Sequence, residues 1–372
     1  MTTTARVAIC PGEGKEFNMA EVTLDDLRED ELLVRVVATD ICHTDMAVRD
    51  QQLPTPLPAV LGHEGAGIVE AVGSKVSAAG VGDRVIMSFN SCGHCPSCEV
   101  DAPTYCYEFG PNNFAGRRPD GSATITRDGE EIGGNFFGQS SFATHAIAHE
   151  RNVVRVPDSA ADLPLERLAP LGCGLMTGAG AVLRSMEVRE GLPIAVFGTG
   201  TVGLAAVMAA KIAGADPIIA VDMHESRLEL AKELGATHTV KAGDDAMDRL
   251  KEAAPDGLAY AFDTTGVKKV IESVFEQIAP KGILGLVGAS PPEDMLKLNE
   301  ASLMGGGKRV IGILGGDSDI AGFICELIAY HQDGKFPFDR LIEYFDFDDI
   351  NAGIEASESG EVVKPVLRIS PE

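Results

Sequence analysis

The chain has 372 residues, 45% of them hydrophobic and 23% charged, which fits a globular protein of two or three domains with no need of disulfide staples. Against 31 Lys and Arg stand 56 Asp and Glu, a net charge of −25 and a pI near 4.6. A surface this acidic repels phosphate backbones and anionic lipid, so nucleic-acid and membrane-surface partners are disfavoured.

The opening Met1-Thr2-Thr3-Thr4-Ala5-Arg6 lacks the basic start and long apolar stretch of a signal peptide, and a cytoplasmic protein is expected. Residues 1–90 read as short β runs between Gly and Pro turns: Arg6–Cys10, Leu32–Ala38, Gly67–Val72 and Arg84–Met87. Gly65, Gly67, Gly73 and Gly82 fit tight barrel corners. Two chemically loaded stretches interrupt this β pattern, Asp40-Ile41-Cys42-His43-Thr44-Asp45 and Leu61-Gly62-His63-Glu64-Gly65.

A lobe at about residues 90–107 follows, in which four of the eight cysteines run as Cys92-x2-Cys95-x2-Cys98-x7-Cys106. Two-residue gaps let successive thiolates reach one tetrahedral zinc from a tight loop, and Gly93, Pro96 and Ser97 supply the turn chemistry. Four protein ligands leave no open position, so a zinc here is structural; an iron–sulfur cluster and a chance group of thiols are the alternatives. Residues 107–134 read as a polar loop turning at Arg117–Gly121, and a β stretch from Phe142 to Val156 leads to helical periodicity near Leu163. Cys173 then sits in Leu171-Gly172-Cys173-Gly174. With Cys42 and His63 it makes a Cys/His/Cys set that leaves one place for water or substrate, the pattern of a catalytic zinc. Each of the three alone reads as readily as a core or turn residue. Cys10 and Cys325 have no such surroundings and read as core thiols.

The 20 uncharged residues Gly191–Ala210 are long enough to span a bilayer, but Pro193, Gly198, Gly200 and Gly203 break them into strand, turn and helix. From there, strands Ile194–Phe197, Pro217–Val221, Tyr260–Asp263 and Ile283–Val287 alternate with helices Val202–Ala213, Glu225–Leu234, Asp244–Ala253 and Lys268–Ile278. This alternation predicts a doubly wound parallel sheet. Gly198-Thr199-Gly200-Thr201-Val202-Gly203 lies between the first strand and its helix, where a GxGxxG element binds a dinucleotide pyrophosphate. Asp222 ends the next strand, placed to bond the ribose hydroxyls and repel a 2′-phosphate, which favours NAD; a flavin and a simple helix cap are the competing readings. After Lys308 come the strand-like Val310–Leu314, a helix Ile320–Gln332 and a β tail Val362–Ile369 that returns to the first domain. Val310–Leu314 reads either as an internal strand or as an edge that pairs with a second subunit.

In this order the motifs resemble the zinc-dependent medium-chain alcohol dehydrogenases, and the likeness runs over the whole chain. Its zinc signature is seen in Gly62-His63-Glu64-Gly65-Ala66-Gly67-Ile68-Val69-Glu70 with Val72-Gly73. Phe136–Thr144, Leu171–Gly174, Gly334–Asp339 and Lys364–Leu367 are most similar to the aryl-alcohol (benzyl alcohol) dehydrogenases. The resemblance implies an α/β architecture: a GroES-like β-barrel catalytic domain (1–176), a Rossmann domain (177–308) and a return to the catalytic domain (309–372). It further implies Cys42, His63 and Cys173 on a catalytic zinc and Cys92, Cys95, Cys98 and Cys106 on a structural one. Glu64 would be an occasional zinc ligand, Asp45 would orient His63, and Thr44 would take the alcohol proton. His43 and Lys364 would face the NAD pyrophosphate, with Gly198, Gly200, Gly203 and Asp222 holding the rest of the cofactor. The reaction implied is reversible NAD-linked oxidation of primary aryl or allylic alcohols by a homodimer or homotetramer. Ala47 departs from the family pattern, which has a relay histidine there, so the proton leaves by water, the ribose hydroxyls or His43. Thiol-dependent formaldehyde oxidation, a zinc-free quinone reductase and a non-catalytic zinc- and NAD-binding protein are the other readings. Phe89, Phe114 and Phe137 are candidates for an apolar pocket, against the alternative of plain core packing.

Overall fold

A strand buried along nearly its whole length, Glu31–Asp40, anchors the first half of the protein. Leu32, Val34 and Val36 pack with Val69, Val85, Met87, Ala146, Ala148 and Val153 into one apolar layer. The structure is a computed structural model describing residues 3–288 and 295–372, and it divides into two units.

The first unit comprises residues 1–173, 319–329 and 339–372. Its larger sheet orders Val153–Arg155, Arg84–Met87, Gly65–Val72, Glu31–Asp40, Lys364–Arg368 and Ile342–Asp346, with His145–His149 also paired to Glu31–Asp40. A second, five-stranded sheet joins Thr3–Cys10 to Asn18–Leu24, Ala59–Val60 and the hairpin Ile125–Arg127/Glu130–Ile132. The stretch 107–134 is therefore not simply loop: besides the hairpin it holds a helix, Phe109–Phe114. The β tail does return as expected, Val366 pairing with Asp40.

The second unit comprises residues 174–318 and 330–338. Its six strands are all parallel, in the order His238–Lys241, Ile218–Asp222, Ile194–Phe197, Leu258–Asp263, Ile278–Leu286 and Arg309–Gly312. Numbered along the chain this is the 3-2-1-4-5-6 order of a dinucleotide-binding sheet, whose switch point lies above the first strand. The unit runs past the expected boundary at 308 because Arg309–Gly312 hydrogen-bonds to Ile278–Leu286 as its terminal strand. Gly191–Ala210 resolves into strand Ile194–Phe197 and the start of helix Thr201–Ile212. Among the described residues no helix is long and apolar enough to cross a membrane.

Candidate active site

Three adjacent strands deliver a polar cluster to one end of the larger sheet. Glu31–Asp40 runs out into Ile41-Cys42, Glu64 immediately precedes Gly65–Val72, and Lys364 opens Lys364–Arg368. Helix His43–Arg49 starts at Cys42 with a reciprocal cap: Asp45 Oδ2 accepts the Cys42 N–H at 3.0 Å, and the Asp45 N–H donates to the Cys42 carbonyl at 3.0 Å. Asp45 Oδ1 is left for the next loop, accepting the Gly62 N–H and the His63 Nδ1–H, each at 3.0 Å. A carboxylate only accepts, so His63 donates from Nδ1, and in the neutral ring Nε2 turns its lone pair into the cluster. That Nε2 is buried with no hydrogen-bond partner among the described residues. Such an orphan asks for a ligand.

Glycines set the approach of the loops. Gly62 adopts φ +86°, and Phe142 fills the space a side chain there would need. A Cβ on Gly172 would strike the Met87 carbonyl and come within 3.5 Å of Glu64 Cα, so only glycine lets Cys173 reach the cluster. The donor atoms of Cys42, His63, Glu64 and Cys173 lie within 4.8 Å of one another. A hydrogen bond from Cys173 holds the Cys42 thiol well below its ordinary range, while the same bond and burial push Cys173 up. Burial alone would lower His63, but Asp45 and Cys42 outweigh it and raise the imidazole to about 10, so a metal ion binding at Nε2 would displace a proton. Two sulfurs and an imidazole nitrogen gathered in one cluster are a donor set that fits zinc, which would displace their protons on binding.

His43 is exposed and Thr44 half-buried on the first turn of the same helix, with Thr44 Oγ1 3.9 Å from Cys42 Sγ. Ala47, one turn on, is buried. Lys364 is a correction. Expected at the dinucleotide pyrophosphate, it is 2% exposed and its ammonium is bonded to Glu64 Oε2 and lies 2.6 Å from Asp40 Oδ2. The pairing of Lys364–Arg368 with Glu31–Asp40 sets its ammonium between the Asp40 and Glu64 carboxylates. Sequence reading passed over two further residues. Asp40 is fully buried at the strand end, its only signal a carboxylate closing an apolar run two residues before Cys42. Gln139 Nε2 donates to the His63 and Ser88 carbonyls at 2.9 and 2.8 Å, and its Oε1 accepts the Gly65 N–H.

The candidate pocket rings do come together. Phe137 stacks on His63 with centroids 4.5 Å apart, meets Phe114 at 5.2 Å, and connects through Phe109 to Phe89. Phe137 sits at φ +51°, an uncommon conformation for an aromatic residue.

In the cysteine lobe, Cys92 and Cys98 sulfurs are 3.9 Å apart, Cys95 and Cys98 3.6 Å, and Cys95 and Cys106 4.0 Å. These spacings match the edge of roughly 3.8 Å of a tetrahedral zinc–thiolate site. Backbone N–H groups of Cys92, Cys95 and Tyr107 donate to Cys106, Cys92 and Cys95 sulfurs, and the Tyr107 bond leads the causes that lower Cys95 to about 6.

In the second unit Gly198 takes φ +84°, Gly200 caps helix Thr201–Ile212 with open space above it, and a Cβ on Gly203 would collide with the Gly198 carbonyl. Asp222 Oδ2 accepts the Thr199 N–H at 2.6 Å and its hydroxyl at 2.8 Å, and Oδ1 accepts the His224 N–H at 2.9 Å. The carboxylate thus ties the glycine turn to its own strand end, and burial notwithstanding, these bonds hold it below the usual range.

Residues 28–158 match the alcohol dehydrogenase GroES-like domain family, and residues 201–329 the zinc-binding dehydrogenase family. A geraniol dehydrogenase from Castellaniella defragrans is 42% identical over 98% of this chain and 97% of its own length. The chain belongs to the zinc-dependent medium-chain alcohol dehydrogenases. Two solved structures of similar proteins have the same fold throughout. An alcohol dehydrogenase zinc-binding domain protein from Burkholderia ambifaria superposes with a TM-score of 0.97 at 44% identity, covering 100% of both chains. A benzyl alcohol dehydrogenase from Acinetobacter calcoaceticus does so at 0.94 and 40%, covering 99% of this chain and 100% of its own.

Proposed function

We propose that this alcohol dehydrogenase interconverts primary aryl or allylic alcohols and their aldehydes, with NAD as hydride acceptor and two zinc ions per subunit. The observation that carries the reading is the Cys42/His63/Cys173 donor set with the orphaned Nε2 at its centre. Cys42, His63 and Cys173 would hold the catalytic ion, and Cys92, Cys95, Cys98 and Cys106 the structural one. When bound, zinc supplies a Lewis acid that makes an alcohol hydroxyl more acidic, and NAD supplies the hydride acceptor.

The chain's own residues do the rest. Asp45 fixes the His63 tautomer and ring direction. Thr44 Oγ1 accepts the alcohol proton, which with Ala47 in place of a relay histidine passes to water, a ribose hydroxyl or the exposed His43. His43 is also assigned to the pyrophosphate. Gly198, Gly200 and Gly203 open the helix start to the phosphates. Asp222, oriented by Thr199, takes the adenosine ribose hydroxyls and repels a 2′-phosphate. The ring wall of Phe137, Phe114 and Phe109 keeps water out and suits a flat, unsaturated substituent. The similar proteins named for geraniol and benzyl alcohol both act on primary alcohols next to an unsaturated carbon, which supports the substrate class. Arg309–Gly312, a terminal strand, is the proposed seam of a homodimer or homotetramer.

A panel of benzyl, allylic and saturated alcohols and a thiol–formaldehyde adduct, each with NAD and NADP, tests the reading. Benzyl and allylic alcohols with NAD should give the highest kcat/KM, and Cys42→Ser should abolish turnover while the protein stays folded. Preference for the thiol adduct would replace the substrate class, and full activity of Cys42→Ser would overturn the mechanism.

A further inference from the structure

Behind the donor cluster lies a second buried group that the reaction as described does not use. Asp40, Glu64 and Lys364 are 0%, 0% and 2% exposed, so two carboxylates share one ammonium away from water. Lys364 Nζ is bonded to Glu64 and lies 2.6 Å from Asp40 Oδ2. The Asp40 contact is purely ionic: among the described residues neither of its carboxylate oxygens accepts a well-aligned hydrogen bond. A buried carboxylate supported only in this way is costly to keep unless it has work to do.

The geometry gives it work. Glu64 stands between two claims, since its carboxylate contacts Lys364 and also lies within 4.8 Å of the Cys42, His63 and Cys173 donor atoms. If Glu64 turned toward those donors with Lys364 as its sole counter-ion, it would strand a buried ammonium. Asp40 removes that obstacle, because Lys364 keeps a counter-ion whichever way Glu64 faces. We infer that Asp40 and Lys364 are positioning residues forming a charge relay that lets Glu64 exchange between Lys364 and the metal held by Cys42, His63 and Cys173. The relay rests on the proposed metal reading of that cluster. It makes opposite demands of its two members. Lys364 holds Glu64 off the metal, and Asp40 eases its departure from Lys364.

The experiment uses the full-length protein with its catalytic zinc exchanged for cobalt(II), read by the visible d–d spectrum and by the rate of cobalt transfer to a chelator. In Lys364→Met, Glu64 loses its counter-ion and should become a lasting ligand, giving a new, higher-coordinate cobalt spectrum that disappears in the Lys364→Met/Glu64→Gln double variant. In Asp40→Asn, Glu64 should be locked onto Lys364, leaving the spectrum as in the parent and slowing cobalt transfer about tenfold, the scale of a change beside a metal ligand. Asp40→Glu should restore the parent rate. A merely structural role for the triad would shift thermal stability without producing a spectrum that depends on Glu64. A Lys364→Met spectrum identical to the parent overturns the relay, whether or not Asp40→Asn folds. Cobalt uptake confined to the Cys92–Cys106 lobe in the parent would instead overturn the metal reading, and the relay with it.

Discussion

Asp45 shows how much one side chain settles. Its two oxygens cap a helix at Cys42 and fix the ring of His63, so capping and orienting are one arrangement. Asp45→Ala removes both at once. Metal affinity at the cluster should fall by about 10- to 100-fold, as for other partners of ligating histidines. Zinc content after dialysis against a graded series of chelators measures this, and the Cys92–Cys106 lobe should keep its ion throughout. Equal retention of both ions would show that His63 holds its direction without Asp45. Gly172 acts at the same scale through absence. Gly172→Ala would drive a methyl into the Met87 carbonyl, and because that atom is backbone the loop carrying Cys173 has to move. The expected cost is about 1–3 kcal/mol of stability, read by denaturant unfolding, together with a drop in bound zinc from two ions to one.

At the scale of elements, the cysteine lobe is a short chain segment with little apolar core of its own beyond Phe109. Its order should come from the metal. Cys98→Ser should lower the thermal midpoint and release one zinc while the Cys42/His63/Cys173 cluster keeps the other; unchanged melting would mean that the lobe is held by packing. The lobe was readable in sequence because local spacing alone brings its four sulfurs together. The nucleotide turn was readable for the same reason, as strand Ile194–Phe197, the glycines and helix Thr201–Ile212 are contiguous. Elements that depend on distant partners were not. Asn18–Leu24 and the hairpin Ile125–Arg127/Glu130–Ile132 form because one sheet gathers them, and the hairpin strands, three residues each, are too short to show a period-two pattern. Lys364 is the clearest case. Nothing local says that its strand lies beside Glu31–Asp40, so its ion pair with a residue 300 positions away could not be read from the sequence. A family motif that suggested a phosphate contact stood in for it.

Over the whole molecule, the charge of −25 surrounds a site proposed for an anionic dinucleotide. The long-range field opposes binding, and the attraction has to come from contacts made at short range, above all the Thr201–Ile212 helix start and the Gly198–Gly203 turn proposed for the pyrophosphate. Salt acts unequally on these two. Raising ionic strength from about 0.01 to 0.1 M shortens the screening length from roughly 30 to 10 Å. That removes most of the repulsion from distant carboxylates but leaves backbone N–H groups touching the pyrophosphate little affected. The dissociation constant for NADH should therefore fall about two- to threefold over this range, the opposite of a site that recruits its ligand by net positive charge. The chain contains no Trp, so the binding can be followed cleanly through the fluorescence of NADH itself. A dissociation constant that rises steeply with salt would mean that a local cationic patch outweighs the acidic surface, and it would put Arg227, five residues beyond Asp222, under suspicion as its source.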